Sequence, residues 1–338
     1  QGMTKSTLLT DRSYWSGIIS PLVLGALAWW VGSMFPILGA PVVAILLGLV
    51  VGQIFGQRSE WAAGVTFCSR KVLQASIVLL GAGMSLAQVA RIGGDSLPVM
   101  IGTLIVAIGG GILIGRAMKV ERETRILVTY GTAICGASAI ATMSAVIGAS
   151  GPAIAFSIAV IVIYNVLGAV LFPLLGHLMG LSQESFGLWA GTAVNDTSSV
   201  LAAATVYGAA AASFAVVVKL TRTLAIIPLA VLQSWSQNRW VLKENATQPV
   251  WYKLIPPFLA FFLLAAAINS LGILPASWHD EIKFLAHFGT TVAMAAVGMS
   301  CSFRAIRKSG WRPVALGGIL WALVATSSLV LQALIGKI

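Results

Sequence analysis

Nine stretches of this chain are each long and apolar enough to cross a lipid bilayer, and no fold is open to it that does not house them. They cover residues 17–34, 37–55, 72–90, 97–118, 152–178, 209–235, 254–273, 282–301 and 314–334. About 20 apolar residues, at about 1.5 Å each, carry a helix through about 30 Å of hydrocarbon. Charged residues make up only 9% of the chain, where a water-soluble domain carries roughly a quarter, so the stretches have a membrane for solvent. The ten-residue alternation of an outer-membrane barrel is absent, which leaves helices as the spanning element. The expected fold class is an all-α polytopic membrane protein, one membrane domain over residues 1–338.

The net charge of +11 would suit nucleic acid in a soluble protein. In a membrane protein basic residues gather in cytoplasmic loops, so no nucleic-acid partner is expected. Cys68, Cys135 and Cys301 lie in or beside apolar stretches without metal-ligand spacing, which points to neither a disulfide framework nor a zinc site. Gln1-Gly2 ahead of Met3 reads as an expression scar, and 17–34 as a retained helix rather than a signal peptide.

Two further apolar segments, 124–149 and 185–207, carry small polar patches at their centres. "GTAICGASAI" begins at Gly131 and "GTAVNDTSSV" at Gly191, an offset of 191 − 131 = 60. A second echo joins Gly83-Met84-Ser85 to Gly298-Met299-Ser300, offset 298 − 83 = 215, and the same offset joins Pro98 to Pro313 and Pro41 to Pro256. The unit therefore occurs twice, as repeat blocks 37–178 and 185–334, with 17–34 as an extra N-terminal helix. Repeats of this kind mark secondary transporters, whose sites lie at the repeat interface. If both polar segments are full crossings (eleven spans), one matched pair of spans is parallel and another antiparallel. If each is a re-entrant hairpin, with nine full spans beside them, every matched pair is antiparallel, as an inverted repeat requires. Loop charge agrees with the hairpins. With the N-terminus cytoplasmic, the basic clusters (Arg58, Arg70 and Lys71; Arg116 to Arg125; Arg239 to Lys253; Arg304 to Arg312) fall inside, and the loop around His177 and Glu184 falls outside. The rival is a pair of unwound helices that cross each other.

Broken helix is tolerated at membrane depth only where protein buries it or a wet cavity adjoins it. Gly131, Gly136 and Gly191 supply backbone freedom, and Cys135, Gly136, Ala137 and Ser138 at one break and Asn195, Asp196, Thr197, Ser198 and Ser199 at the other are the two small polar patches. Helical arms that start after each break present free N–H groups and a positive dipole end, a site for an anion. The structural alternative is tight helix packing on small residues, which accounts for "CGAS" but not for Asp196, an ionisable group at depth. Lys219 and Arg222 share one helix face mid-span, too far from either interface to snorkel. One cation could neutralise Asp196 as a structural pair, which leaves one positive charge over. Arg222 is the fork-shaped oxyanion binder, and Lys219 or Asp196 the group that changes protonation.

Other residues give weaker signals. His287 is a proton relay or an interfacial residue. Tyr164 and Asn165 sit where the repeat places Lys219 and Leu220, lining a cavity or packing. Gly109 to Gly111 lie outside any phosphate-binding context and read as close helix packing. A Ser–Lys hydrolase built from Ser198 or Ser199 with Lys219 is disfavoured by the repeats, so no enzyme and no cofactor are expected.

"ICGASAIAT", "GLWAGTAVNDTSSVLAAA" and "VVKLTRTLAIIP" resemble the signature stretches of the YeiH-like sulfate exporter family of bacterial inner membranes, a resemblance that runs from residue 17 to residue 334. It implies a cation/proton-antiporter-like fold with inverted repeats and elevator-type alternating access. It also implies motif positions at Cys135, Gly136, Ala137 and Ser138, at Asn195, Asp196, Thr197 and Ser198, and at Lys219 and Arg222. The functional expectation is a multi-pass inner-membrane secondary transporter of a small anion (sulfate, sulfite or a sulfonate). In it Lys219, Arg222 and the two polar patches bind substrate. Asp196, with Asn195 and Thr197, handles a coupling proton or sodium ion. Lipid surrounds the protein, and a homodimer is compatible with the fold. The alternatives are a cation/proton antiporter and a passive anion channel.

Overall fold

A computed structural model describes residues 12–34, 39–55, 60–238, 257–301 and 310–338. These residues fold into helices, with no strand among them. In chain order they are α1 (Arg12–Met34), α2 (Gly39–Ile54), α3 (Ala62–Ala82), α4 (Leu86–Ala117), α5 (Arg122–Ala133), α6 (Ala137–Ile147) and α7 (Gly151–Leu178). There follow α8 (Gln183–Ala193), α9 (Thr197–Tyr207), α10 (Ala209–Leu224), α11 (Ile226–Asn238), α12 (Pro257–Ser270), α13 (His279–Ser300) and α14 (Trp311–Leu334). Seven described segments are long and apolar enough to cross a membrane, α10 and α11 together counting as one, and α2 and α12 are shorter apolar helices. Bulky apolar side chains such as Ile105 and Leu113 stay on the outside, as lipid-facing positions require. The chain is a polytopic helical membrane protein.

The third and fourth spans differ from the sequence expectation of 72–90 and 97–118. The third begins earlier, at Ala62, and holds one π-helical turn, Cys68–Val72, so Arg70 and Lys71 lie within a helix rather than in a loop. It ends at Gly83, because a capping box starts the next helix at Ser85. The Gln88 N–H donates to Ser85 Oγ at 3.2 Å, and the Ser85 N–H to Gln88 Oε1 at 2.9 Å. Hydropathy alone ran through that boundary. The expected span 209–235 is kept as one crossing, Ala209–Ser236, with a one-residue break inside it. Pro228 has no N–H for the Leu224 carbonyl, and the helix breaks at Ala225.

The helices form two packed groups. In the first, α1, α2, α3, α12 and α13 lie together, and α2 crosses α13 at backbone contact. Gly48 and Gly52 face Ala295 and Met299 there, and Gly298 faces the Ile45 carbonyl, the small-residue packing that lets helices approach in lipid. In the second, α4 and α14 pack on each other and on the elements between 122 and 238. The groups meet chiefly where α9 touches α2 and α13. The pairing of α2 with α13 is matched by that of α12 with α3, and the two exchange when α2 is swapped for α12 and α3 for α13, the partners given by the sequence offset of 215.

Hydrogen bonds at their bases make both polar segments re-entrant. At the start of α5, Glu123 Oε2 accepts from the Ser150 N–H, just past α6, at 2.9 Å. A continuous helix would hold residues 150 − 123 = 27 apart at about 40 Å. At the start of α8, Gln183 Oε1 accepts from the N–H groups of Ala210 and Ala211, just past α9, at 3.0 and 3.1 Å. Each pair, α5–α6 and α8–α9, thus goes in and returns on one side. The two sides are opposite. Near the start of α4, Lys337 Nζ donates to the Asp95 carbonyl at 3.0 Å, while the Lys337 carbonyl accepts from Ser185 Oγ, at the base of the second hairpin, at 2.7 Å. Near its end, Arg125, at the base of the first hairpin, lies against Gly115. The interval 115 − 95 = 20 residues is about 30 Å of helix, the depth of the bilayer core.

Two outcomes follow. Single cysteines replacing Glu121 and Ser150 will react with a membrane-impermeant maleimide from one face of the membrane, and those replacing Ser182 and Ala209 from the other; reaction of the two members of either pair from opposite faces would contradict the hairpins. Gly48→Leu will cost about 1–3 kcal/mol of stability through overpacking at the α2–α13 crossing, read as a lower melting temperature in detergent. Gly109→Ala, with nothing within 4 Å of the added carbon, will not.

Candidate functional site

The two hairpins break for different local reasons. After α5 the chain leaves helical geometry at Ile134 and turns through Gly136 at φ +67°, a region that favours glycine, with the Gly136 N–H on the Gly131 carbonyl at 2.9 Å. After α8 it bends over residues 194–196, with extended backbone at Val194 and at Asp196. Gly191, expected to loosen this second break, lies a turn before it. With Gly187 it lets α8 lie close on α10, against Phe214 and Val218. Gly131 likewise packs against Ile140 and Ile161. Of the three expected hinge glycines, only Gly136 needs its conformational freedom. The two tips touch: a Cβ built on Gly136 would lie 3.3 Å from that of Asp196.

Behind the tips stand the two cations of α10, both fully buried. Arg222 Nε donates to the Ala133 carbonyl, the last residue of α5, at 2.6 Å. Lys219 Nζ donates to the Val194 carbonyl, the residue that ends α8, at 2.7 Å. Each α-helix end leaves carbonyls without partners and a negative dipole end, which hydrocarbon cannot solvate. A cation there stabilises it by up to about 2 kcal/mol when partly buried. The placement differs from the expectation of cations lining the site. Among the described residues no ion pair within 4.0 Å joins either to Asp196. Arg222 spends only Nε in the cap, and its Nη1 and Nη2 are buried without a hydrogen-bond partner, as are both polar atoms of the Asn195 amide.

In front of the tips is a cavity of about 510 Å³. Its polar floor is formed by Ser138 at the start of α6, by Asp196 to Ser199 at the start of α9, and by Asn165 of α7. The Asp196 carboxylate caps its own helix, accepting from the Ser198 N–H at 3.1 Å and from the Ser198 hydroxyl. The Asp196 N–H donates to Asn165 Oδ1 at 3.1 Å. The start of α6 has no side-chain cap, and Ala137 and Ser138 are exposed to the cavity. Ser138 donates to Cys135 Sγ at 2.9 Å, but Cys135 is buried behind it. From the facing helix group come Ser69, Arg70 and Gln74 of α3.

Of the sequence-predicted site residues, Ala137, Ser138, Asp196, Thr197, Ser198 and Ser199 line the cavity. Cys135, Gly136, Asn195, Lys219 and Arg222 form the layer beneath, outside the cavity lining. Asn165 lines the cavity, while its neighbour Tyr164 packs on Gly317 and Gly318 and donates to the Val314 carbonyl at 2.7 Å. His287 lies on α13, away from the lining. Arg70, counted from sequence only as loop charge, is the basic side chain among the described cavity residues. The repeat does not mark it, since the offset of 215 pairs Arg70 with Leu285 (70 + 215 = 285).

Sequence comparison places the chain among membrane proteins. A family model described as "Conserved hypothetical protein 698" matches residues 16–317. A "UPF0324 membrane protein" of Streptococcus pyogenes serotype M3 is 40% identical over 332 residues, 95% of this chain and 97% of its own. A namesake in Streptococcus pneumoniae is 40% identical over 95% and 97%, and one in Clostridium tetani 36% identical over 98% and 100%. These names state a membrane location and no substrate.

If Lys219 and Arg222 cap broken helices, Lys219→Met and Arg222→Met will each lower the melting temperature of purified protein with no substrate present. Each exposes a buried carbonyl, worth about 1–3 kcal/mol. Unchanged melting would mean that neither cap bears on stability.

Proposed function

The chain belongs to the UPF0324 family of membrane proteins, and from the geometry of its paired hairpins we propose that it is a secondary active transporter of a small anion. One observation carries this reading: two half-helices start at touching tips and point their N-terminal ends at one cavity, with two buried cations behind them. With Asp196 ionised the cluster holds two positive charges and one negative. An anion that enters completes the neutralisation. The α6 N–H groups and the hydroxyls of Ser138 and Thr197 are the donors for its oxygens. Arg70 draws it in from the facing helix group. The free Nη1 and Nη2 of Arg222 supply a further fork once the tips shift. The resemblance to YeiH-like sulfate exporters supports sulfate, sulfite or a sulfonate as substrate, in a bacterial inner membrane with the N-terminus cytoplasmic.

Asp196 couples the cycle. It is the carboxylate that faces the cavity, and it caps α9 beside the α6 N–H groups assigned to the anion, so proton uptake changes the charge next to the bound anion. The cavity opens where Arg70 lies, the cytoplasmic side by the positive-inside rule, and alternating access exposes the tips to the other side by sliding one helix group along the other. The exposure of Asp196 among hydroxyls also favours a second reading, a cation/proton antiporter in which Asp196, Asn195 and Thr197 hold a sodium ion or proton. A passive anion channel is a third.

Sulfate, sulfite or methanesulfonate will raise the melting temperature of the purified protein, and Arg222→Ala will abolish the shift. Stabilisation by sodium alone, unchanged in Arg222→Ala, would favour the antiporter. In proteoliposomes a proton gradient will drive the anion against its own electrochemical gradient, which a channel cannot do. Asp196→Asn will keep the helix cap, since Asn caps as well as Asp, and will lose proton-driven accumulation while anion exchange persists.

A further inference from the structure

The polar groups of the cavity fall in two sets, on facing helix groups. One set is at the hairpin tips with Asn165 and Thr223, the other is Ser69, Arg70 and Gln74 of α3, and most of the lining surface is apolar, from Leu73 and Ile77 of α3, Ile161 and Val162 of α7, Phe258 of α12 and Val297 of α13. A bare oxyanion gives up hydration on entering such a space and recovers partners only at those two sets. The volume of about 510 Å³ falls within the 300–1,000 Å³ of pockets that hold organic ligands, with apolar walls and a few convergent polar groups. The apolar wall also continues outward. Gln74 and Phe258 border the cavity on one side and, on the other, a groove of about 590 Å³ between α3 and α12, walled by Val78, Leu79, Phe261 and Leu264.

Resting on the anion-transport reading, we infer that the substrate is an organic anion with an apolar body. Its charged head sits at the tips, against Ser138 and Thr197. Its carbon chain lies on Ile161, Leu73 and Phe258 and points towards the groove beyond Phe258. This separates the site from one built for inorganic sulfate, whose every face carries oxygen and demands donors all round.

The test is a series of straight-chain alkanesulfonates, methane- to hexanesulfonate, beside inorganic sulfate. Each is read as thermal stabilisation of purified protein and as competition for anion exchange in proteoliposomes. Apparent affinity will rise with each added carbon, by up to about fourfold per fully buried methylene. Hexanesulfonate will then bind far more tightly than methanesulfonate or sulfate. Phe258→Ala and Ile161→Ala will each shrink the ratio of hexane- to methanesulfonate affinity. Hexan-1-ol, with the chain and no charge, will not compete. A flat response, with sulfate bound as well as hexanesulfonate, overturns the inference and leaves the anion transporter standing. A rise that both variants leave intact, or that hexan-1-ol reproduces, means partition into detergent or lipid and overturns it too. Absence of binding by every anion removes the inference together with the transport reading.

Discussion

Two hydrogen bonds from one helix make the rest of this membrane protein possible. Helix that stops halfway across a bilayer leaves carbonyls and a dipole end where no water can reach them. Lys219 and Arg222 meet that demand at both places where it arises, on the Val194 and Ala133 carbonyls. With the C-terminal ends of α5 and α8 held, the chain can turn back as α6 and α9 and bring two helix N-termini to face a cavity. Burying two cations would be prohibitive without partners. Here the partners are the very groups that the broken helices leave over.

The site accordingly has layers with different duties. The layer that lines the cavity, Ser138 and Asp196 to Ser199, is small and hydroxyl-rich, and Ser138, Asp196 and Thr197 are the parts of it open to a solute. The buried layer, Cys135, Asn195, Lys219 and Arg222, holds the tips in place. It also keeps unspent hydrogen-bonding capacity in Asn195 and in the guanidinium fork. Such buried, unpaired polar atoms cost stability in one conformation and are explained by use in another. The two helix groups flanking the cavity, joined mainly at α9, give the molecule a seam along which a second conformation can form.

Much of this was legible in the chain. The offset of 60 found both hairpins, parity and loop charge favoured re-entrance, and the hydrogen bonds from Ser150 to Glu123 and from Ala210 to Gln183 agree. Asp196 stood out because a carboxylate in an apolar window needs a reason. What stayed hidden was anything set by three-dimensional proximity. A sequence shows that Lys219 and Arg222 are buried cations, not that carbonyls 25 and 89 residues away are their partners. Gly191 looked like a hinge because it neighbours the break, yet it serves packing against Val218. The start of α4 was missed because its capping box, Ser85 with Gln88, is a local polar signal inside a run that hydropathy averages over. Arg70 was read as a loop charge because a π-helical turn leaves no mark on composition.

Lys219 and Arg222 sit one turn apart on a single continuous helix, and through them both tips hang from one strut. The two half-sites, though made by chain segments 60 residues apart and inserted from opposite faces, therefore share a common gauge. A shift or rotation of α10 is felt at both tips together, and neither can be retuned alone by movement of that helix. The same arrangement makes the three-residue interval between the cations a fixed measure. The loops and outer helices of such a protein are free to drift in length and composition, while that interval is not, because a single inserted residue would swing one cation about a quarter-turn or more off its carbonyl.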